Sequence, residues 1–169
     1  MNVFITFGTA DYLQKVKEKH LQETMVLMSN GDNAMLIHET REETVFNSGH
    51  HYEVLDAVGS VEQGGFAVLN NIPVTDEGRP VFEYRFSQRA GLIEQEPGFI
   101  AIRVLRPIDT NTYVILTMWD SEISFKKWQD SKAYEKAHAK RGTSEGIDQQ
   151  KPVFSGPSYV TTYHVMSKE

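Results

Sequence analysis

"EPGFIAIRVLRPIDTNTYVILTMW", residues 96–119, is the stretch whose reading decides the fold. A Pro-Gly turn opens it. Phe99, Ala101, Arg103 and Leu105 then alternate with Ile100, Ile102, Val104 and Arg106, the period of two expected of a strand. "DTNT" (109–112) has the composition of a tight turn, because Asp, Asn and Thr side chains can bond their own backbone. "YVILTMW" (113–119) is nearly continuous in apolar residues, the pattern of a strand covered on both faces. Together they read as an antiparallel hairpin in the middle of a sheet.

The flanks extend that hairpin into a unit. "FAVLNNIPV" (66–74) reads as a strand and "TDEGRPVFEYRFSQRAG" (75–91) as a helix. Thr75 or Asp76 would cap the helix, Val81, Tyr84, Phe86 and Ala90 would supply its apolar side chains, and Gly91 would stop it. After the hairpin, "DSEISFKKWQ" (120–129) starts a second helix under an Asp/Ser cap, and "DSKAYEKAHAKRG" (130–142) continues or restarts it. Residues 142–156 are a polar loop, long for a simple connection. "PSYVTTYHVM" (157–166) closes with a strand. The order β-α-β-β-α-β is the ferredoxin-like motif, an antiparallel sheet with two helices on one face.

The first block is a shorter echo of pattern, not of residues. "NVFITFG" (2–8) reads as a strand, "ADYLQKVKEKH" (10–20) as a helix and "TMVLMSNGDNAMLIHET" (24–40) as a hairpin around Asn30-Gly31, a strong turn signal. "HHYEVLDAVG" (50–59) is expected to be a short helix, and the glycine-rich "VGSVEQGG" (58–65) a linker. The expectation is an α+β chain. Residues 64–169 form a ferredoxin-like domain, and residues 1–63 form a smaller, incomplete ferredoxin-like half packed against it.

Composition narrows the functional classes. A chain of 169 residues with 40% apolar and 24% charged residues can bury a real core. No apolar run approaches the length of a membrane span, and the N-terminus lacks the pattern of a signal peptide, so a cytoplasmic protein is expected. With no cysteine there is neither a disulfide framework nor a thiolate nucleophile. A net charge of −6 argues against nucleic acid as a partner. There is no G-x-G-x-x-G, P-loop or G-x-S-x-G motif, so no resident nucleotide is expected. His50-His51 has no carboxylate or cysteine at zinc spacing and reads as exposed loop polarity. His20, His38 and His164 are isolated.

Three residues stand out. His138 shares a helix face with Tyr134, Ala137 and Arg141, at i, i+3, i+4 and i+7 spacing, where it is either a hydrogen-bonded core histidine or a metal ligand. Trp128 lies ten residues earlier on the same amphipathic pattern, a usual core position. Asn70 interrupts an apolar strand, where an unpaired amide is costly. It is followed directly by Asn71, so a shift of one residue would turn the other amide to the same side. Lys126, Lys127, Lys132, Lys136, Lys140 and Arg141 cluster near His138. They are either a solvated helix face or a local attraction for an anion.

Those residues, set in "LNNIPVT", "EPGFIAIRVLRP" and "VILTMWDSEISFKKWQDSKAYEKAHAKRG", resemble the IsdG-type heme-degrading monooxygenases of the antibiotic biosynthesis monooxygenase (ABM) family. The resemblance covers roughly residues 64–166, and the two-part layout is similar to that of a bacillar branch of the family. It implies a dimeric α+β barrel type of fold and heme as both cofactor and substrate, with no bound nucleotide or flavin. His138 would be the proximal ligand of the heme iron, Trp128 would press on the macrocycle, and Asn70, favoured over Asn71 by its "N-x-[IL]-x-[VL]-T" spacing, would serve the distal side. Dioxygen and an external electron donor would open the ring and release iron, a role in iron acquisition. The lysines could meet the heme propionates. The first half would replace the partner subunit of dimeric relatives, giving a monomer. "FGTADYLQKV", "YEVLDAVG" and "RVLRP" also resemble staphylococcal signalling proteins of this fold, which implies a non-enzymatic, heme-binding or signalling alternative. A cofactor-free ABM oxygenase acting on an aromatic substrate is the third reading.

Overall fold

The computed structural model describes residues 1–31, 33–88, 92–131 and 153–166. The described elements are β1 (Asn2–Gly8), α1 (Ala10–Lys19), β2 (Thr24–Ser29), β3 (Ala34–Thr40), β4 (His50–Val58), β5 (Phe66–Pro73), α2 (Arg79–Ser87), β6 (Phe99–Pro107), β7 (Thr112–Trp119), α3 (Glu122–Gln129) and β8 (Tyr159–Val165). All eight strands close into one barrel in the order β1-β3-β2-β8-β5-β7-β6-β4. Cut at its two seams, the barrel gives β4-β1-β3-β2 and β8-β5-β7-β6. These are two copies of the same ferredoxin-like strand order. The incompleteness of the first half is therefore confined to its second helix, whose place residues 41–49 take without helical structure.

The strands exist because they alternate. The barrel interior draws buried residues from every strand, including Ile5, Met28, Ile37, Leu69, Leu116 and Tyr163. The intervening residues face outward, where the helices cover them. Leu13 of α1 lies over Met25, Leu27 and Leu36. Phe82 of α2 lies over Ile102, Val104 and Tyr113. Phe125 of α3 lies over Phe66, Val68 and Trp119. Thr9 caps α1 by accepting from the Tyr12 amide at 3.2 Å, and Ser121 caps α3 by accepting from the Ser124 amide at 3.3 Å.

The two seams are unequal. β4 pairs with β6 from Tyr52↔Pro107 to Val58↔Ile102, whereas β2 meets β8 at Met28↔Val165 and Ser29↔His164. An ion pair inside the barrel joins the two strand sets. Arg103 of β6 donates from Nε to Glu39 Oε2 of β3 at 2.6 Å. It also donates to the carbonyls of Val58 (3.1 Å), Gly59 (2.8 Å) and Ile102 (2.9 Å). Only 5% of Arg103 is exposed, so its charge depends on these acceptors. Gly59 itself has φ +78, and a Cβ there would stand 2.0 Å from the Ile100 carbonyl oxygen. No other residue fits that turn.

Several sequence expectations are corrected. "HHYEVLDAVG" is not a helix but the strand β4, paired on both sides by β1 and β6. A register shift between Val54 and Asp56 inserts an extra residue, which breaks the alternation that would have revealed the strand. His50 and His51 accordingly begin a strand and are not loop polarity. His51 bonds Asn2 Oδ1 at 3.0 Å and stacks on Phe4 at 4.4 Å. His38 is fully buried, with Nε2 2.7 Å from Glu23 and Nδ1 3.1 Å from Thr44. It anchors residues 41–49 over the first strand set. The helix expected from Thr75 begins at Arg79, because Thr75 caps a preceding turn through the Gly78 amide at 3.0 Å. Its buried face is Phe82 with Phe86, while Val81 and Tyr84 point to solvent. Ala90, Gly91, the helical continuation through 132–142, and most of the expected loop lie outside the described residues.

Candidate functional site

The register of β5 decides which asparagine faces the helices. Ala67 and Leu69 belong to the barrel interior, while Phe66, Val68 and Ile72 belong to the two outer clusters under α3 and α2. Asn70 therefore shares the outer face, and Asn71 turns inward. The Asn71 amide Nδ2 donates to the Leu69 carbonyl (3.1 Å), the Tyr159 carbonyl (3.2 Å) and Thr161 Oγ1 (3.2 Å), where it holds β8 against β5. Among the described residues the Asn70 amide has no hydrogen-bond partner. The two adjacent asparagines differ: Asn71 ties β8 to β5, and Asn70 shares the outer face without a described bond.

Asn70 stands where the α3 cluster ends and the α2 cluster begins. Its cross-strand neighbours are Ile115 on β7 and Val160 on β8. Ile115 is buried and Val160 is 56% exposed, so the floor is apolar and opens towards β8. Ile93 and Phe99 pack against both clusters and so join them.

Trp128, on the last turn of α3, forms the other side. It is half-buried, with its ring centroid 5.7 Å from Trp119 and 6.1 Å from Phe125. Gly98 allows α3 to start this close to the sheet: its φ is +86, and a Cβ would stand 2.3 Å from Ser124 Oγ. At the N-terminal end of α3, His164 stacks edge-on against Phe66 at 5.0 Å and lies 3.7 Å from Glu122. His164 is therefore a surface support at the far end of the helix.

His138 lies in 132–152, outside the described residues, as do Lys132, Lys136, Lys140 and Arg141. The flanks of that segment are described. Ser131 follows the turn that carries Trp128, and its hydroxyl donates to the Trp128 carbonyl at 2.7 Å. Val153 belongs to the α2 cluster, and Phe154 bridges to Val74. Ser131 stands on the α3 side of the Asn70 face, and Val153 on the α2 side. Lys126 and Lys127 are exposed on α3, and Lys126 lies 3.4 Å from Glu122.

Sequence reasoning missed a charged cluster that fixes α2. Arg106 of β6 donates to both oxygens of Glu83, at 2.9 and 2.6 Å, and to Glu53 of β4 at 2.6 Å. The Tyr113 hydroxyl also donates to Glu83. The Arg106 bonds hold the Glu83 carboxyl below its usual range, against the opposing effect of burial, and the Tyr113 bond adds to the lowering. Burial first, and Glu83 second, push the Tyr113 phenol up. The pattern of Arg103 and Arg106 falling on opposite faces of "RVLR" was the available signal. Away from the Asn70 face, a cavity of about 450 Å³ opens at the short β2–β8 seam, lined by Lys17, His20, Glu23 and Glu62 among others. No helix of the described residues is long and apolar enough to cross a membrane.

Comparison with known proteins agrees with this architecture. The family model described as antibiotic biosynthesis monooxygenase matches residues 65–140. The chain is 32% identical over 130 residues to a heme-degrading monooxygenase of Listeria monocytogenes, covering 76% of this chain and 77% of that one. It is 24% identical over 142 residues to the signal transduction protein TRAP of Staphylococcus aureus, covering 84% and 85%. Among solved structures, a major regulator of staphylococcal pathogenesis shares the fold with a TM-score of 0.85 at 22% identity, over 99% of this chain and all of that one. A heme-degrading enzyme of Listeria monocytogenes gives a TM-score of 0.72 at 26% identity, over 97% and 99%. With its ferredoxin-like strand order, the match across both strand sets and the identity to the Listeria relative, the chain belongs to the antibiotic biosynthesis monooxygenase family.

Proposed function

We propose that this protein is a heme-degrading monooxygenase, with heme held on the outer face of β5 and β7 between α2 and α3. The observation that carries the reading is the register of β5. Of the adjacent pair Asn70 and Asn71, it puts the amide without a described hydrogen bond on a largely apolar floor, on the face that also carries Trp128. The likeness to the Listeria heme-degrading monooxygenase supports the same assignment.

The described residues fit such a ligand. A porphyrin is broad, flat and apolar over most of its area, and the floor around Asn70 is apolar too, with Val68 and Ile115 buried in it and Val160 exposed at its β8 side. Trp128 presents a stiff indole to one side of the ring. Asn70 supplies an N–H donor without a formal charge, suited to a polar group at the centre of the distal side. His138 is the proximal ligand in this proposal, reached through the segment whose flanks end on either side of the floor. When bound, heme supplies the iron and is itself the substrate whose ring is opened with dioxygen and electrons from an external reductant. The role of the chain is to orient the macrocycle, keep water from the apolar floor, and hold one donor on the open side. Release of iron would make this a step in iron acquisition.

The chain closes its own barrel, which supports residues 1–63 as an internal substitute for a partner subunit of the 64–169 domain, and supports a monomer. The outer face of the first strand set is covered by α1 and by residues 41–49 pinned through His38, so one heme per chain is expected. A non-enzymatic heme-binding or signalling role is the second reading, favoured by the likeness to the staphylococcal protein.

The test is titration of the purified protein with hemin, followed by a mild reductant in air. A Soret band that saturates at one equivalent and then bleaches is the expected result. Saturation with a persistent band would favour the signalling reading. Absence of a Soret shift would remove heme from the account.

A further inference from the structure

The chain contains two tryptophans, and both lie in this site, one above the other. We infer that Trp119 is the positioning residue for Trp128: a buried indole platform that sets the angle at which Trp128 meets the bound ring. The inference rests on the proposed heme site for its consequence, but its geometry is independent of any ligand.

Trp119 is fully buried at the end of β7. Its ring is fixed at three points. The indole N–H donates to Thr117 Oγ1 at 3.0 Å, two residues back on the same face of the strand. Phe99 meets it edge-on at 5.9 Å with an interplanar angle of 89°. Phe125 packs on it at 5.7 Å and 61°. An indole held by a buried hydrogen bond and two edge contacts has little rotational freedom. Trp128 lies against that fixed ring at 5.7 Å and 34°, and against Phe125 at 6.1 Å and 38°. Both tilts are far from perpendicular, so Trp128 lies partly flat on the two rings beneath it. Trp128 is partly buried on the last turn of a short helix, where a side chain settles in the rotamer its neighbours allow. The platform beneath it restricts that choice through two ring contacts.

Thr117 is thereby drawn into the device. It is a buried polar residue on an apolar strand, 6% exposed, and its hydroxyl is the acceptor that orients Trp119. Removing it would leave the indole N–H buried without that partner and free the platform to tilt.

The test labels both tryptophans with fluorine and follows their two resonances in the ligand-free protein, alongside hemin titration. In Trp119→Phe the Trp128 resonance should shift and broaden, and hemin binding should weaken about three- to tenfold, the range expected from losing one aromatic pair. Thr117→Val should move the Trp128 resonance in the same direction with both rings still present, and it serves if Trp119→Phe does not fold. Leu13→Ala, in the core beneath α1, is the control for lost stability alone and should leave both readouts unchanged. An unmoved Trp128 resonance in Trp119→Phe and Thr117→Val would overturn the inference. So would an equal change in Leu13→Ala. If the parent protein bound no hemin, the heme site would be lost while the resonances still decided the positioning role.

Discussion

Replacing each of the two adjacent asparagines with valine should separate stability from function. Asn71 Nδ2 carries two hydrogens but faces three acceptors between 3.1 and 3.2 Å. At most two full-strength bonds are therefore present, with the third shared. At about 0.5–1.5 kcal/mol net for each bond, Asn71→Val should cost about 1–3 kcal/mol. The lower end applies if water reaches the half-exposed Tyr159 end of the pair. Asn70→Val removes no described bond and places a β-branched residue among Val68, Ile72 and Ile115, so its cost should be within about 0.5 kcal/mol of zero. Urea unfolding gives both differences. Hemin titration and turnover should order the variants the other way, with Asn70→Val impaired and Asn71→Val near the parent at temperatures where it remains folded. Equal destabilisation by the two changes, or loss of turnover confined to Asn71→Val, would refute the register argument.

Three further outcomes follow from the structure. Breaking the interior ion pair with Arg103→Met should cost about 3–5 kcal/mol, because Glu39 is left buried without its partner. Adding Glu39→Leu should restore much of that loss, and a double-mutant cycle in urea measures the coupling. The depressed Glu83 pKa makes stability depend on acid: its contribution is complete above the ordinary glutamate value of 4.5 and is lost as pH falls through the lower folded value. Thermal melts from neutral pH downward should show less of that acid loss in Glu83→Gln. In native-state hydrogen exchange, the amides of β8 before His164 that do not face β5 should exchange faster than those along β4–β6. The β2–β8 seam is short, and opening it breaks few bonds.

Legibility in the sequence followed locality. The β6–β7 hairpin and the Asn30-Gly31 turn were readable because alternation and a positive-φ glycine are properties of a few consecutive residues, and Gly31 has φ +92. β4 was misread because its bulge near Leu55 hides the alternation and its "DAVG" end imitates a helix terminus. The choice of Phe82 over Val81 and Tyr84 as the buried face of α2 depends on where the helix starts, which the Thr75 turn shifts by a full turn. Barrel closure was beyond any local pattern, since β2 and β8 are separated by most of the chain. At the site, the spacing of the family resemblance favoured Asn70 over Asn71, but no local pattern separated them; the pairing with β7 and β8 gives the face of each. Trp128 could be singled out, but Trp119 beneath it reads as an ordinary apolar strand end.

The most direct test of the central claim is single-turnover reaction of the hemin complex under isotopically labelled dioxygen, with the products read by mass spectrometry and freed iron by a ferrous chelator. The account predicts an open-chain tetrapyrrole carrying label, with about one iron released per chain. Recovery of intact heme after the reductant and dioxygen are consumed would contradict it.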